Sequence, residues 1–520
     1  MRNIIRKKSG FRSVKLKTAV FILSAAALLA GCSPLTASSG DSYVAEHLKT
    51  WSDGTSDYVF LPSGVSRHYA AEGKQGKILQ SKLLPSVWIT TDGGDHEAIL
   101  NSKDEKLSGS MTIMDSSGEL LAEYPIAYIK TRGNSSFVEY PKKQYQLKLT
   151  EKASLFGLPA GKKWVLTANA SDSSLVRNAL VRQLACDMDF PACDSGQFAD
   201  LYINGEYQGN YYLCARIEIS RTRLNIADLE EMTEKVNLTE DLSQYEDIWG
   251  EASRCKAIPE DPQDITGGYL FEREFQDRFE LEAFDNSSYF RTEAGESMIL
   301  ESPESVSQKQ LEYISGLVQQ MENAILSEDG VDPESGRYYT ELLDLHSFAA
   351  KYLLEEVSQN YDGGSSSSYF YKDRDRINPR ICAGPPWDYD LTFGNLPSFI
   401  GSVEQTSETL TKLQVNTNGT SWFAALYEKQ EFRDAVIRLY RDSVRELLRQ
   451  YIEKGGELDR LAGETEYSAE MDSIRWKEMY DQAAAEKGYS YDRQQEIEEI
   501  RAFIERRLAF LDEEWKINGD

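Results

Sequence analysis

The spacing of apolar residues changes part-way along this chain, and that change constrains the fold more than any other feature. From about Pro85 to Ile219 the apolar residues recur with period two, in short aromatic and β-branched runs such as "SVWITT", "GSMTIMD", "PIAYIKT" and "KQYQLKL". Alternation of this kind predicts half-buried strands. In "KKQYQLKL" it puts Tyr145, Leu147 and Leu149 on one face, and Lys142, Gln144, Gln146 and Lys148 on the other. "ADLYINGEYQGNYYL" predicts a hairpin, with Asn204-Gly205 suited to a type I′ turn. One helix, with Ser/Asp caps, is predicted within this β-rich part, in "SDSSLVRNALVRQLAC".

"TGGYLFEREF" is again strand-like, and from about Lys309 the period becomes helical. Leu345, Phe348, Ala349, Tyr352 and Leu353 fall at i, i+3, i+4, i+7 and i+8, a buried helical stripe that ends near Asn360. "SYFYKDRDRINPRICAG" predicts a second hairpin, leading into "GPPWDYDLTFGN". A last helix carries Ile497, Ile500, Ile504, Leu508, Leu511 and Trp515 as one stripe. The fold class is therefore α+β: a β-rich part at 85–225, an acidic irregular stretch at 226–265, a mixed part at 266–425, and a helical part at 426–520. At 520 residues the chain is long enough for more than one core.

The first residues read as a leader rather than as part of the fold. Met1 to Lys17 holds seven Lys/Arg and no acid, and an apolar run from Ala19 to Ala30 follows. That run is too short to span a bilayer as a helix. "LAGC", Leu29 to Cys32, resembles a bacterial lipobox, so residues 1–31 are predicted to be a lipoprotein signal peptide and Cys32 the lipidated residue. Residues 32–84 would be a tether and lead-in. The predicted location is the extracytoplasmic face of a bacterial cell membrane.

With 85 Asp+Glu against 57 Lys+Arg the chain has a formal charge of −28. No general electrostatic attraction to nucleic acid is expected, and contact with an anionic membrane would depend on the lipid. Cys186 and Cys193 are close enough in sequence to form a bridge. An odd number of cysteines beyond Cys32 leaves at least one unpaired. Only four His are present and no CxxC, which argues against a zinc site or a His-dependent triad.

Chemistry is then sought among carboxylates, Lys and Arg. In "IKTRGNSSFVEYPKKQYQLKL" a strand runs into Gly and small polar residues, then into a Lys-rich strand. Backbone N–H groups and cations in such a turn can face phosphate oxygens. Asn360-Tyr361-Asp362 follows the long apolar helix, and Asp388 and Asp390 follow the second hairpin. Hard oxygen ligands in that order suit Mg²⁺ held against nucleotide phosphates.

These stretches resemble the CotH kinase family, named for a spore-coat protein. The resemblance rests on "RGNSSFVEYPKKQYQLKL", "KKWVLTANASDSSLVRNAL", "LYINGEYQGNYYL", "TGGYLFE", "LEEVSQNYD" and "GPPWDYDLTFGN", in that order. It implies a two-lobed atypical protein-kinase-like fold, with a β-rich N-lobe, a helical C-lobe and a C-terminal helical extension. It also implies Mg²⁺- or Mn²⁺-dependent transfer of the ATP γ-phosphoryl group to protein Ser/Thr. Carried over by motif, Arg132, Gly133, Asn134 and Ser135 would face phosphate. Lys142, Lys143 and Lys148 are the candidate phosphate-contacting lysines, and Arg177 and Asn178 lie on the N-lobe helix. Asp362, with Asn360 beside it, would be base or metal ligand, and Asp388 and Asp390 metal ligands. Where the resemblance leads one to expect a Glu after "YYL", this chain reads Cys214-Ala215-Arg216. The rival expectation is a non-catalytic envelope scaffold or polysaccharide binder on the same fold.

Overall fold

The computed structural model describes residues 58–61, 78–81, 83–274, 288–364, 366–396, 407–410 and 422–517. The leader and Cys32 lie outside the described residues. Among the described residues no helix is long and apolar enough to cross a membrane.

β1 (Tyr58–Leu61) and β2 (Ile78–Ser81) form an antiparallel pair. The period-two region then supplies seven strands: β3 (Ser86–Thr91), β4 (Leu107–Met114), β5 (Leu120–Arg132), β6 (Gln144–Ala153), β7 (Gly161–Thr167), β8 (Gln197–Ile203) and β9 (Glu206–Ala215). They close into a barrel in the order β3-β4-β5-β6-β7-β9-β8. β8 seals it by running parallel to β3, Ser86 against Asp200, and every other pairing is antiparallel. Closure leaves no open edge on the barrel. Tyr145, Leu147 and Leu149 fill its interior with Ile129, Trp164 and Leu213, so the alternation in β6 runs as predicted. At the β8–β9 turn Asn204 and Gly205 both take positive φ, 51° and 82°, the conformation a type I′ turn requires.

α1 (Arg177–Asp187) is shorter than the predicted helix. Leu175 sits at φ 68°, in the left-handed region, and the helix cannot extend back through it. Asp172 still serves the helix N-terminus, accepting the Arg177 N–H at 2.9 Å.

The part read as irregular, 226–265, is ordered. It carries α2 (Leu229–Asn237), capped by Asp228, and the short strands β10 (Asp247–Trp249) and β11 (Ser253–Lys256). These join β12 (Tyr269–Glu274), β13 (Tyr289–Arg291), β14 (Ser297–Ser302), β15 (Ser368–Lys372) and β16 (Cys382–Ala383) in a second seven-stranded sheet. The later part of the chain is therefore not purely helical. Three of these strands have only three or four residues, too few for alternation to show in sequence.

Helices make up the rest: α3 (Gln308–Leu326) and α4 (Leu345–Ser358) pack on this sheet, followed by α5 (Trp422–Tyr427), α6 (Gln430–Leu439), α7 (Arg445–Ile452), α8 (Glu457–Glu464), α9 (Glu466–Arg475), which packs on β9 of the barrel, α10 (Lys477–Glu486) and α11 (Arg493–Glu514). α4 is buried over most of its circumference, Lys351, Glu355 and Glu356 included, and stops where Gln359 turns left-handed. The predicted stripe of α11 is buried from Ile497 to Trp515. One large core joins α1, α3, α4, the second sheet and the C-terminal helices to the outer face of the barrel through Val165, Phe198, Tyr212 and Cys214. The expected mixed α+β class is what the chain adopts. Its β-rich part is a closed barrel, and its later part is a sheet wrapped by helices.

Cys186 and Cys193 form a disulfide, while Cys214, Cys255 and Cys382 are free and buried.

Candidate active site

The segment 384–395 is held in place by one buried side chain. Tyr389 is fully buried and its hydroxyl donates to Glu355 Oε1 at 2.8 Å. Glu355 in turn pairs with Lys351 at 2.5 Å inside α4. The Tyr389 N–H donates to Asn178 Oδ1 at 2.7 Å. With Tyr389 pointing into the core, its neighbours Asp388 and Asp390 are half-buried on the open side. Asp388 takes φ 65°, a conformation that aspartate tolerates better than most residues.

Further bonds tie this loop to α1 and to the turn before it. Arg177 Nε donates to the Thr392 carbonyl at 3.0 Å, and Arg177 pairs with Asp172 at 2.5 Å. The Asn395 amide donates to the Asp390 carbonyl at 2.8 Å and to the Ser171 carbonyl at 3.0 Å. Ser171 Oγ donates to Asp390 Oδ2.

The end of α4 brings in the third carboxylate. The Tyr361 N–H bonds to the Leu391 carbonyl at 3.1 Å and the Phe393 N–H to the Ser358 carbonyl at 2.8 Å, so the two loops run side by side. Asn360 is buried and its Oδ1 accepts the Asp362 N–H at 3.2 Å. Gly363 is required here, because a Cβ would stand 2.3 Å from Glu355 Oε2. Burial, then the Asp388 charge, pushes the Asp390 carboxyl well above the usual carboxylate range; Asp362 adds to the effect and Ser171 opposes it. The Tyr140 hydroxyl is raised by burial and then by the Asp390 charge.

Arg132, which lines one cavity with Asp388, belongs to a basic surface of the barrel. Tyr128, Lys130 and Arg132 alternate on the outer face of β5, opposite Lys148, Gln146 and Gln144 of β6. Burial lowers the Lys130 ammonium, and Lys106, Arg216 and Lys103 lower it further. Arg216 reaches Gln146 at 2.9 Å and Glu301 of β14 at 2.7 Å, so at the sequence departure after "YYL" a carboxylate arrives from the second sheet. The Trp387 ring lies between two guanidiniums, with Arg132 5.1 Å and Arg182 5.9 Å from its centroid. The cavity between Arg132, Gln144, Asn178, Arg182 and Asp388 measures about 10 Å³, room for about one water.

The predicted residues divide between those that meet and those that do not. Asp362, Asp388 and Asp390 converge, with Asn360 supporting Asp362. Arg132 faces Trp387. Gly133, at φ 95° and with no room for a Cβ beside Ser136, makes the turn, and Asn134 Oδ1 accepts from Lys103 at 2.9 Å. Ser135 is exposed at the start of that turn. Lys142 is not in the cleft: it is fully buried and pairs with Asp472 of α9 at 2.7 Å. Lys143 donates to the Phe137 and Tyr140 carbonyls at 2.5 and 2.7 Å and so braces the turn. Lys148 stands four residues beyond Gln144 on β6, about 13 Å further along the strand. Arg177 and Asn178 are buried and hold the 384–395 loop, and Asn178 also lines the small cavity beside Arg132.

Sequence reasoning passed over Lys130, Arg182, Ser171 and Asn395. Lys130 was legible, since it lies two positions before Arg132 on one strand face. The other three depend on contacts between elements distant in sequence.

Among the described residues no group of three or more His, Cys, Asp or Glu is arranged as a ready metal cage. Asp362, Asp388 and Asp390 therefore do not form such a group together, although Asp388 and Asp390 carry hard oxygens of the kind a divalent cation takes.

No curated protein matches the chain. A family model described as CotH kinase protein matches residues 129–511, from β5 through nearly all of α11. That span holds both the basic strand and the carboxylate loops, and the chain belongs to the CotH kinase protein family.

Proposed function

We propose that this chain is a protein kinase that transfers the γ-phosphoryl group of ATP to a Ser or Thr hydroxyl of a protein, with Mg²⁺ or Mn²⁺. The observation that carries the reading is that the loops bearing Asp362, Asp388 and Asp390 run side by side, with Arg132 of the barrel lining one small cavity with Asp388. In the kinase-like reading the barrel is the N-lobe, the part built on the second sheet is the C-lobe, and ATP lies between them. Asp388 and Asp390 would hold the metal ion, which supplies charge neutralisation at the phosphates when bound. Lys130 and Arg132 add positive charge on the opposite wall. Asp362 orients the acceptor hydroxyl and takes its proton. Asn178 and Arg177 keep the Asp388–Asp390 loop in position before substrate arrives. Cys32 would carry the lipid that holds the protein at the extracytoplasmic face of the membrane, and the disulfide suits that oxidising compartment.

Thermal shift with ATP and Mg²⁺ or Mn²⁺, beside label transfer from γ-labelled ATP to an acceptor protein, tests the reading. The full chain is expected to shift upward and to transfer label. Asp362→Ala and Asp390→Ala are expected to remain folded and to lose transfer. Asp390→Ala is also expected to lose the metal-dependent shift. An unchanged shift and unchanged transfer in both variants overturns the assignment. No shift at millimolar nucleotide in the full chain favours the scaffold.

A further inference from the structure

The short loop that follows α1 reaches the candidate site from the side. Cys186 in the last turn of α1 and Cys193 in the loop form a disulfide across seven positions. Both are half-buried, within reach of a small reagent. Asp194 follows directly and pairs with Arg182 of α1 at 3.1 Å, with both side chains buried. Arg182 lines the small cavity with Arg132, Asn178 and Asp388, and its guanidinium lies against the Trp387 ring. Phe190 makes a second contact. It packs on Gly384, where a Cβ would stand 3.3 Å from Phe190 Cδ1. The loop therefore meets the 384–395 segment at its first residue and, through Arg182, at Trp387.

The disulfide is what keeps the loop in this shape. Asp189 and Ala192 take φ 59° and 55°, in the left-handed region. Ala192 has no polar side chain to offset that strain by bonding locally. The Phe190 N–H is tied to the Ala185 carbonyl at 3.1 Å, and the Tyr212 hydroxyl donates to the Ser195 carbonyl. Between those two ties no hydrogen bond among the described residues holds Pro191 or Ala192.

We infer that the Cys186–Cys193 disulfide is a redox latch on the candidate active site: formed, it keeps Asp194 on Arg182 and Phe190 on Gly384 and so sets the 384–395 loop; reduced, it lets that loop move and stops nucleotide handling. The nucleotide part rests on the kinase reading above, and the loop part does not. In reduction a dithiol supplies two electrons and two protons. The S–S bond breaks to give two thiols, and the dithiol closes to its own disulfide. Ala192 then relaxes out of the left-handed region and draws Asp194 off Arg182. A buried guanidinium left unpaired is strongly disfavoured. The one carboxylate among the residues lining its cavity is Asp388, and Arg182 turns to it. With Cys32 lipidated outside the cell, the latch stays open in the reducing cytoplasm and closes after export.

The test compares the full chain before and after treatment with dithiothreitol, by hydrogen exchange with mass spectrometry and by the nucleotide assays above. On reduction the amides of 384–395 are expected to exchange at least about tenfold faster while those of β3 to β5 stay unchanged. Label transfer and the nucleotide-dependent thermal shift are expected to fall by about the same factor, and reoxidation is expected to restore both. Cys186→Ser combined with Cys193→Ser is expected to match the reduced chain and to ignore dithiothreitol. Reversible reduction of the parent chain keeps the test readable if that variant misfolds. Unchanged exchange at 384–395 on reduction overturns the inference, and label transfer in the same sample leaves the kinase reading standing. Faster exchange spread over the whole chain makes the disulfide a general brace and overturns the inference likewise. No label and no nucleotide-dependent shift in the oxidised chain overturns the kinase reading and the nucleotide part of the inference, while the exchange result still decides the loop part.

Discussion

Lys142 at the head of β6 and Asp472 in α9 meet at 2.7 Å, and neither side chain is exposed. The same Asp472 Oδ1 accepts the Asn210 N–H at 2.7 Å, and Asp472 Oδ2 accepts the Tyr480 hydroxyl at 2.5 Å. The pair fastens the C-terminal helices to the barrel.

Asp472→Ala therefore leaves an ammonium, an amide and a hydroxyl buried without their acceptor. It is expected to cost about 3–5 kcal/mol in urea unfolding. Lys142→Met removes the charge along with the contact and is expected to cost distinctly less. If Lys142→Met instead abolished the nucleotide-dependent shift at little cost in stability, Lys142 would be a phosphate ligand after all.

Half-buried His96 and fully buried Asp200 titrate between pH 4 and 7 with opposite signs. Burial lowers His96 to about 4, so the neutral ring stabilises the fold above pH 6.5, and that stability is lost as pH falls toward 4. Burial raises Asp200 to about 6, so its contribution is full below the ordinary carboxylate value and is lost as pH rises through 6. The partial cancellation flattens the profile. His96→Gln removes one side of it. The stability difference between the parent chain and this variant is expected to shrink by up to about 3 kcal/mol on going from pH 7 to pH 4, measured by denaturant midpoints. A constant difference across that range would rule out a His96 held neutral by the fold.

Asn178 connects α1 to the candidate site, accepting from the Tyr389 N–H and donating to Asn169 Oδ1 at 2.9 Å. Asn178→Ala is expected to cost about 1–3 kcal/mol, because a buried N–H loses its acceptor. It is also expected to weaken the metal-dependent nucleotide shift, since Asp388 and Asp390 flank the freed residue. A stability loss with full nucleotide response would restrict Asn178 to a packing role.

Cys32→Ala tests the lipid anchor directly. The variant is expected to leave the membrane fraction for the soluble one in a bacterial host, and to lose incorporation of a labelled fatty acid. Retention in the membrane without label would point to a different attachment.

How much was legible differs from one element to the next. β6 and α11 were readable because each buries one face continuously, so period and burial coincide over many residues. β10, β11 and β13 were not, because strands of three or four residues draw their stability from neighbours in the sheet and carry no pattern of their own. The lysines show the same limit within one strand. Alternation placed Lys142 on the outer face, but what covers that face is α9, from the far end of the chain.

The sequence by itself determined the β-rich region from Pro85 to Ile219, the buried faces of β6 and α11, and the family, because these follow from local period and from motifs in series. Only the tertiary structure decided that Asp362 stands with Asp388 and Asp390, that Lys142 is spent on Asp472, and that Ser171 is held on Asp390. Each of these depends on which distant side chains share one desolvated space. No local rule fixes that choice, because it is settled by packing of the whole core and by the need to pair every buried charge.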